Sequence, residues 1–258
     1  MKVEIHPDYE HLRDWVEGIP GSVPDEAGII RDYRNVLYKE RVGGETFVVK
    51  KFKRPNLFNR FVYGTFRKTK ARRSFEHARR LSAMGIETAP PVAYIEIRKG
   101  GLFHTGYFIS ANLSYPLLKE AVEHPDREKI WQDFALFTAD LHRRGVNHRD
   151  YNTENIFFRK NESGNYVFAL IDINRMTFRP LSKRKCVDSL KRLGLPLSVL
   201  VRIMERYTEV RGWNTEVWCG TLLLKRGVDL RGRIKQEAKH IKNSIKGFFE
   251  DAMTRYAH

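Results

Sequence analysis

The stretch His148-Arg149-Asp150-Tyr151-Asn152-Thr153-Glu154-Asn155 sets a carboxylate and an amide at the spacing H-R-D-x-x-x-x-N. Phosphoryl transfer needs a group that orients or accepts the proton of an attacking hydroxyl. It also needs oxygen ligands that hold Mg²⁺ against the phosphates. Asp150 suits the first task. Asn155 suits the second, together with Asp172 at the end of Leu170-Ile171-Asp172. Upstream, the strand-like run Phe47-Val48-Val49-Lys50 ends in a lysine as V-A-I-K does, and Glu76 lies on the following helical segment, able to pair with Lys50. Taken singly, Glu76 could equally pair with Arg80 at i+4, and Lys50 could be one solvated charge among many. Order and spacing bind the pieces together: strand-lysine, helix-glutamate, a helix leading into the H-R-D loop, a hairpin, then Asp172. His142 and His148 lack metal-ligand spacing, so His148 reads as a structural member of the loop.

The elements that must carry these residues are legible from periodicity. Residues 28–31, 35–41 and 45–50 read as short strands, with Gly43-Gly44 as a hairpin turn, and 92–98 and 102–110 as two more joined by Gly100-Gly101. Thr69 to Met84 reads as a helix with Ala71, Phe75, Ala78 and Ser82 on one stripe and Gly85 as its stop. A second helix starts at Pro125-Asp126, buries Ile130, Phe134, Phe137 and Leu141, and ends at Gly145. A hairpin follows, Asn155 to Phe158 with Tyr166 to Ile171, and amphipathic helix dominates beyond Pro180, as at Leu197, Leu200, Val201, Met204 and Tyr207. The expected fold class is α+β: an N-terminal antiparallel sheet lobe with one helix over residues 1–112, and a mainly helical C-terminal lobe over 113–258.

Composition narrows the setting. No apolar run approaches the roughly 20 residues that cross a bilayer, and Met1 to His6 lacks signal-peptide order, so a cytoplasmic location is expected. Cys186 and Cys219 stand far apart, which points away from a disulfide framework or a zinc site. The formal charge of +16 and a pI near 9.9 favour polyanionic partners. Ten basic residues and no acid lie between Lys50 and Arg73, interleaved with Phe58, Phe61, Val62, Tyr63 and Phe66, a pattern suited to an anionic membrane surface or glycolipid. A loop whose aromatics cover the sheet while its charges face water is the plainer reading of the same run. No recognised nucleic-acid module is present, so no specific nucleic-acid partner is expected. Trp213 and Trp218 could line an acceptor cleft, with packing as the weightier role.

Asn152, two places after Asp150, and the run Ile171-Asp172-Ile173-Asn174-Arg175 resemble the D-x-N-x-x-N and I-D-x-x-R patterns of bacterial lipopolysaccharide kinases, the Kdo kinase/WaaP family within the protein-kinase-like superfamily. The resemblance covers about residues 28–195. It implies a bilobal protein-kinase-like fold and transfer of the ATP γ-phosphate to a Kdo or heptose hydroxyl of the lipopolysaccharide inner core, at the cytoplasmic face of the inner membrane. By that carry-over Asp150 is the base, Asn152 assists near the acceptor or γ-phosphate, Asn155 and Asp172 bind Mg²⁺, and Lys50 with Glu76 positions ATP. Two departures stand out. No G-x-G-x-x-G precedes Lys50, the turn Arg31 to Asn35 standing in its place, and the lack of A-P-E or of a glycine two places after Asp172 argues against a phosphorylation-switched loop. A kinase of another acceptor, small molecule or protein, and a pseudokinase or polyanion-binding module remain the alternatives.

Overall fold

The computed structural model describes residues 1–22, 29–32, 35–54 and 67–227. Alternating apolar and polar side chains make the first half a six-stranded sheet of β1 (Lys2–Ile5), β2 (Ile29–Asp32), β3 (Asn35–Val42), β4 (Glu45–Phe52), β5 (Pro91–Lys99) and β6 (Leu102–Ala111). Their order is β1-β5-β6-β4-β3-β2, antiparallel throughout. Edge strand β1 and the short helix α1 (Arg13–Gly18) go beyond the one-helix lobe expected. Their sequence signal is Leu12, Val16 and Ile19 at i, i+4 and i+7, all buried on the face that holds Phe47, Val49 and Ile109.

The other face of the sheet receives α2 (Lys70–Ala83), capped where Thr69 Oγ1 accepts the Arg72 N–H at 3.1 Å. Its buried side chains are Ala71, Ser74, Phe75, Ala78 and Leu81. Ser82, expected on that stripe, is exposed, and Leu81 takes the last buried position of the helix instead. Close approach is possible because two small residues meet: a Cβ on Gly106 would lie 3.0 Å from the Ile95 carbonyl and 3.2 Å from the Ala71 Cβ.

In the second half, α3 (Arg127–Arg143) buries Ile130, Phe134 and Leu141, with Phe137 partly buried. It ends at Gly145, whose φ of +74 favours glycine. A Cβ there would also sit 2.9 Å from the Arg179 carbonyl carbon and oxygen. Strand β7 (Val146–Asn147) pairs with β10 (Thr177–Phe178) around the hairpin β8 (Ile156–Lys160) and β9 (Tyr166–Leu170). Helices α4 (Lys183–Leu190), α5 (Leu197–Arg211) and α6 (residues 215–227) complete the described chain. Trp213 and Trp218 pack against each other at 5.3 Å and onto the large core cluster.

The halves meet through residues 86–88. Ile86 joins the core of the second half, the Leu170 N–H donates to the Glu87 carbonyl at 3.0 Å, and Thr88 Oγ1 donates to the Leu170 carbonyl at 2.6 Å. Among the described residues no helix is long and apolar enough to cross a membrane.

Two expectations follow. Gly145→Ala, adding a side chain where φ is positive and backbone is already in contact, should cost about 2 kcal/mol, read as a lower urea midpoint. His142, buried against the Tyr207 hydroxyl at 2.9 Å, has its imidazole pushed down to about 3 by burial and then by Arg211. The unfolded chain therefore takes up a proton near the ordinary value of 6.5 that the folded chain refuses. Stability present at neutral pH is lost as pH falls from 6.5 towards 3. From about pH 7.5 to about pH 5 the single site should cost about 2 kcal/mol. His142→Asn, which bonds Tyr207 without titrating, should flatten the pH dependence of the urea midpoint by that amount.

Candidate active site

The loop between β7 and β8 is built downward into the core and upward into solvent. Tyr151 is its anchor: fully buried, bonded through its hydroxyl to Thr138 Oγ1 at 2.8 Å, and stacked on Phe134 of α3 at 5.9 Å. His148 is buried beside it. Its Nε2–H donates to the Ile171 carbonyl at 2.7 Å and its Nδ1 accepts the Asp150 N–H at 3.3 Å. Those two bonds need one donor and one acceptor nitrogen, which defines the neutral Nε2–H tautomer. Burial lowers its pKa accordingly, partly offset by the Ile171 carbonyl.

Asp150 itself is exposed. Asn152 Nδ2 donates to Asp150 Oδ1 at 3.2 Å, while Asn152 Oδ1 accepts the Glu154 N–H at 3.0 Å and so caps the turn Thr153–Asn155. Asn155 Nδ2 donates to the Asp150 carbonyl at 2.9 Å. The Asn155 amide is thereby oriented with its Oδ1 left as an acceptor.

Asp172 caps the hairpin's second strand in a left-handed conformation, φ 52 and ψ 43, the single positive φ of a non-glycine residue among those described. Lys50 Nζ, on β4 between Leu37 and Phe108, donates to Asp172 Oδ1 at 2.7 Å, and Asn174 Nδ2 donates to the same oxygen at 2.6 Å. Burial alone would raise the Asp172 carboxyl. The Lys50 charge and hydrogen bond, with the Asn174 amide, outweigh it and hold the pKa below the ordinary carboxylate value.

Glu76 does not join this group. Its carboxylate takes the Lys68 ammonium at 2.7 Å and Arg72 Nε at 2.8 Å. The expected Lys50–Glu76 pair is therefore corrected to Lys50–Asp172. The reason is helical phase: the residue of α2 that reaches the Asp172 loop is His77, whose Nδ1–H donates to the Ile173 carbonyl at 2.8 Å, and Glu76 is turned about 100° away from it. Arg80 is not the partner of Glu76 either; its guanidinium lies over the Phe178 ring at 4.2 Å.

Three residues here were not singled out from sequence. Asn174 was seen only as part of a motif, although an amide two places after a turn carboxylate is itself a local signal. His77 had no signal apart from the tertiary contact. Lys70, the first residue of α2, is half-buried, with its pKa lowered by burial and by the neighbouring cations Arg175, Arg73 and Lys50, while Asp172 opposes the shift. Lys50, Arg73 and Arg175 thus gather positive charge around Lys70, a field suited to phosphates.

Of the basic run, Lys50, Lys68 and Arg72 are engaged in ion pairs and Lys51 lies over the Tyr107 ring at 5.6 Å. Phe58, Phe61, Val62, Tyr63 and Phe66 lie outside the described residues, as do residues 33 and 34 of the turn expected to cover the phosphates. Among the described residues no trio of His, Cys, Asp or Glu could hold a metal. Asp172 and Asn155 would instead offer Mg²⁺ a sparse set of hard oxygens, with substrate phosphates and water to supply the rest.

Solved structures share this architecture. One described as WaaP in complex with acyl carrier protein superposes with a TM-score of 0.60 at 18% identity, covering 88% of this chain and 98% of that one. A Rio2 kinase–ADP/Mg²⁺–phosphoaspartate complex from Chaetomium thermophilum superposes at 0.50 and 13% identity, covering 87% of this chain and 78% of that one. At such identities the likeness carries the fold, which is protein-kinase-like. Two curated relatives, the 3-deoxy-D-manno-octulosonic acid kinases of Vibrio vulnificus strains YJ016 and CMCP6, are 29% and 28% identical over 125 residues. Those residues are 46% of this chain, and the chain spans about half the length of the curated relatives it matches, 52% of each. A model of the lipopolysaccharide kinase (Kdo/WaaP) family matches residues 33–206, a span holding Lys50, the whole H-R-D loop and Asp172, and the chain belongs to that family.

Proposed function

We propose that this chain transfers the γ-phosphoryl group of ATP to a sugar hydroxyl of the lipopolysaccharide inner core. The observation that carries the reading is the pairing of an exposed, amide-oriented Asp150 with the Lys50–Asp172–Asn174 cluster. Asp150 is free to accept the proton of an acceptor hydroxyl as that oxygen bonds to phosphorus, and ADP leaves with the electron pair. Asn152 holds the Asp150 carboxylate in one orientation. His148, neutral and doubly bonded, sets the spacing between the Asp150 amide and the Ile171 carbonyl, and hence between base and Asp172. Asp172 and Asn155 would hold Mg²⁺, which when bound neutralises phosphate charge. Lys50 exchanges its carboxylate partner for nucleotide phosphate, and Lys70 adds a second cation near that phosphate. Glu76 contributes to this arrangement only by ordering Lys68 and Arg72 at the start of α2.

We read Kdo ahead of heptose as the acceptor: the curated relatives are named as 3-deoxy-D-manno-octulosonic acid kinases, and an octulosonic acid carries a carboxylate that a +16 protein attracts. We read residues 1–112 as the nucleotide-binding lobe and 113–258 as the acceptor lobe. The run 50–73 would draw the protein to an anionic membrane surface at the cytoplasmic face, each cation near it adding about 1 kcal/mol.

Incubation with γ-labelled ATP, Mg²⁺ and Kdo-bearing lipid A should label the acceptor; a purified protein that labels neither Kdo- nor heptose-bearing acceptors would sink the proposal. Asp150→Ala should lower kcat by about 10²-fold to 10⁴-fold with nucleotide binding retained. Asp172→Ala should remove Mg²⁺-dependent nucleotide binding, measured by calorimetry on a folded variant.

A further inference from the structure

Asp172 occupies a left-handed conformation that costs a residue other than glycine and that aspartate tolerates where hydrogen bonds support it. The surroundings are four hydrogen bonds. Two act on the side chain, from Lys50 at 2.7 Å and Asn174 at 2.6 Å. Two act on the flanking carbonyls: His148 Nε2 on Ile171 at 2.7 Å, and His77 Nδ1 on Ile173 at 2.8 Å. The first histidine belongs to the catalytic loop. The second belongs to α2, and so it ties the sheet half to the Asp172 loop.

His77 is itself well held. Its ring meets Phe178 edge-on at 5.2 Å, Arg80 covers the same ring at 4.2 Å, and Phe178 pairs through β10 with Val146 of β7, two residues before His148. Behind it, the Ala71–Gly106 contact seats the helix on the sheet. Glu76, the residue that would couple this helix to Lys50, is occupied by Lys68 and Arg72.

We propose that His77 is a positioning residue: its Nδ1–H, bonded to the Ile173 carbonyl, couples helix α2 to the loop that presents Asp172, the task left open by the missing Lys50–Glu76 pair. The inference rests on the reading of Asp172 as the Mg²⁺ ligand. Burial keeps the imidazole's pKa below its usual value, partly offset by the carbonyl, so near neutral pH the ring is neutral with its proton on Nδ1, the nitrogen that faces an obligate acceptor.

The test separates the donor from the ring. His77→Phe keeps the ring against Phe178 and removes the donor, His77→Met is a second donor-free variant should the first fail to fold, and His77→Asn keeps an amide donor near the Nδ1 position. Amide hydrogen exchange of residues 171–176 in the ligand-free protein reads the bond directly. Loss of one net hydrogen bond should speed exchange there by about fivefold to tenfold. The Mg²⁺ concentration that half-saturates ADP binding should rise by about tenfold in the donor-free variants, with metal-free ADP binding unchanged, and His77→Asn should restore both readings. Donor-free variants that bind Mg²⁺-ADP and exchange as the wild type does would overturn the coupling alone. A His77→Asn as perturbed as His77→Phe would reduce His77 to packing. Wild-type protein without Mg²⁺-dependent ADP binding would instead overturn the metal reading, and the positioning role with it.

Discussion

A lysine from the middle of the sheet meets a carboxylate at the end of the hairpin, and the separation of Lys50 Nζ from Asp172 Oδ1, 2.7 Å, is the tolerance within which both halves of the chain must dock. Two half-buried opposite charges are costly if parted and modest in value when joined, so the pair specifies geometry more than it adds stability. Everything that sets β4 against β9 serves that distance. Backbone and hydroxyl bonds from Glu87 and Thr88 to Leu170 hold the joint, and the Glu87–Arg159 ion pair lies over the same seam.

Around this pair the site uses neutral hydrogen bonds where charge would be a liability. His148 and His77 each grip one carbonyl beside Asp172 as neutral imidazoles, so neither adds a positive charge that would compete with Lys50 for the carboxylate. Cations gather instead around Lys70, from Lys50, Arg73 and Arg175. In a chain without a glycine-rich turn before Lys50, such side-chain cations are a source of attraction for anions other than close backbone approach.

Local order along the chain was readable almost residue by residue. The α2 boundaries at Thr69 and Met84, the stop at Gly145, and the hairpin on either side of residues 161–165 follow from capping chemistry, glycine placement and periodicity, which act over a few residues. The H-R-D loop was readable for the same reason, since Asn152 and Asn155 bond to groups within five positions of themselves. Edge strand β1 was harder to see. Its four residues pair with β5 some ninety positions later, and short edge strands carry little pattern of their own.

What the sequence by itself determined is therefore the set of chemical groups and the short-range geometry around each: a carboxylate on an anchored loop, an amide beside it, a lysine ending a strand, and an aspartate ending a hairpin. Tertiary structure alone decided who pairs with whom. Glu76 and His77 are adjacent in the chain and differ by about 100° on the helix, and whether Glu76 or His77 faces the Asp172 loop depends on the rotation of α2 about its own axis. That rotation is set by Ala71 seating on Gly106 and by Arg80 and His77 against Phe178, contacts between residues far apart in sequence. No local rule encodes them, which is why Lys50 was expected to meet Glu76 and instead holds Asp172.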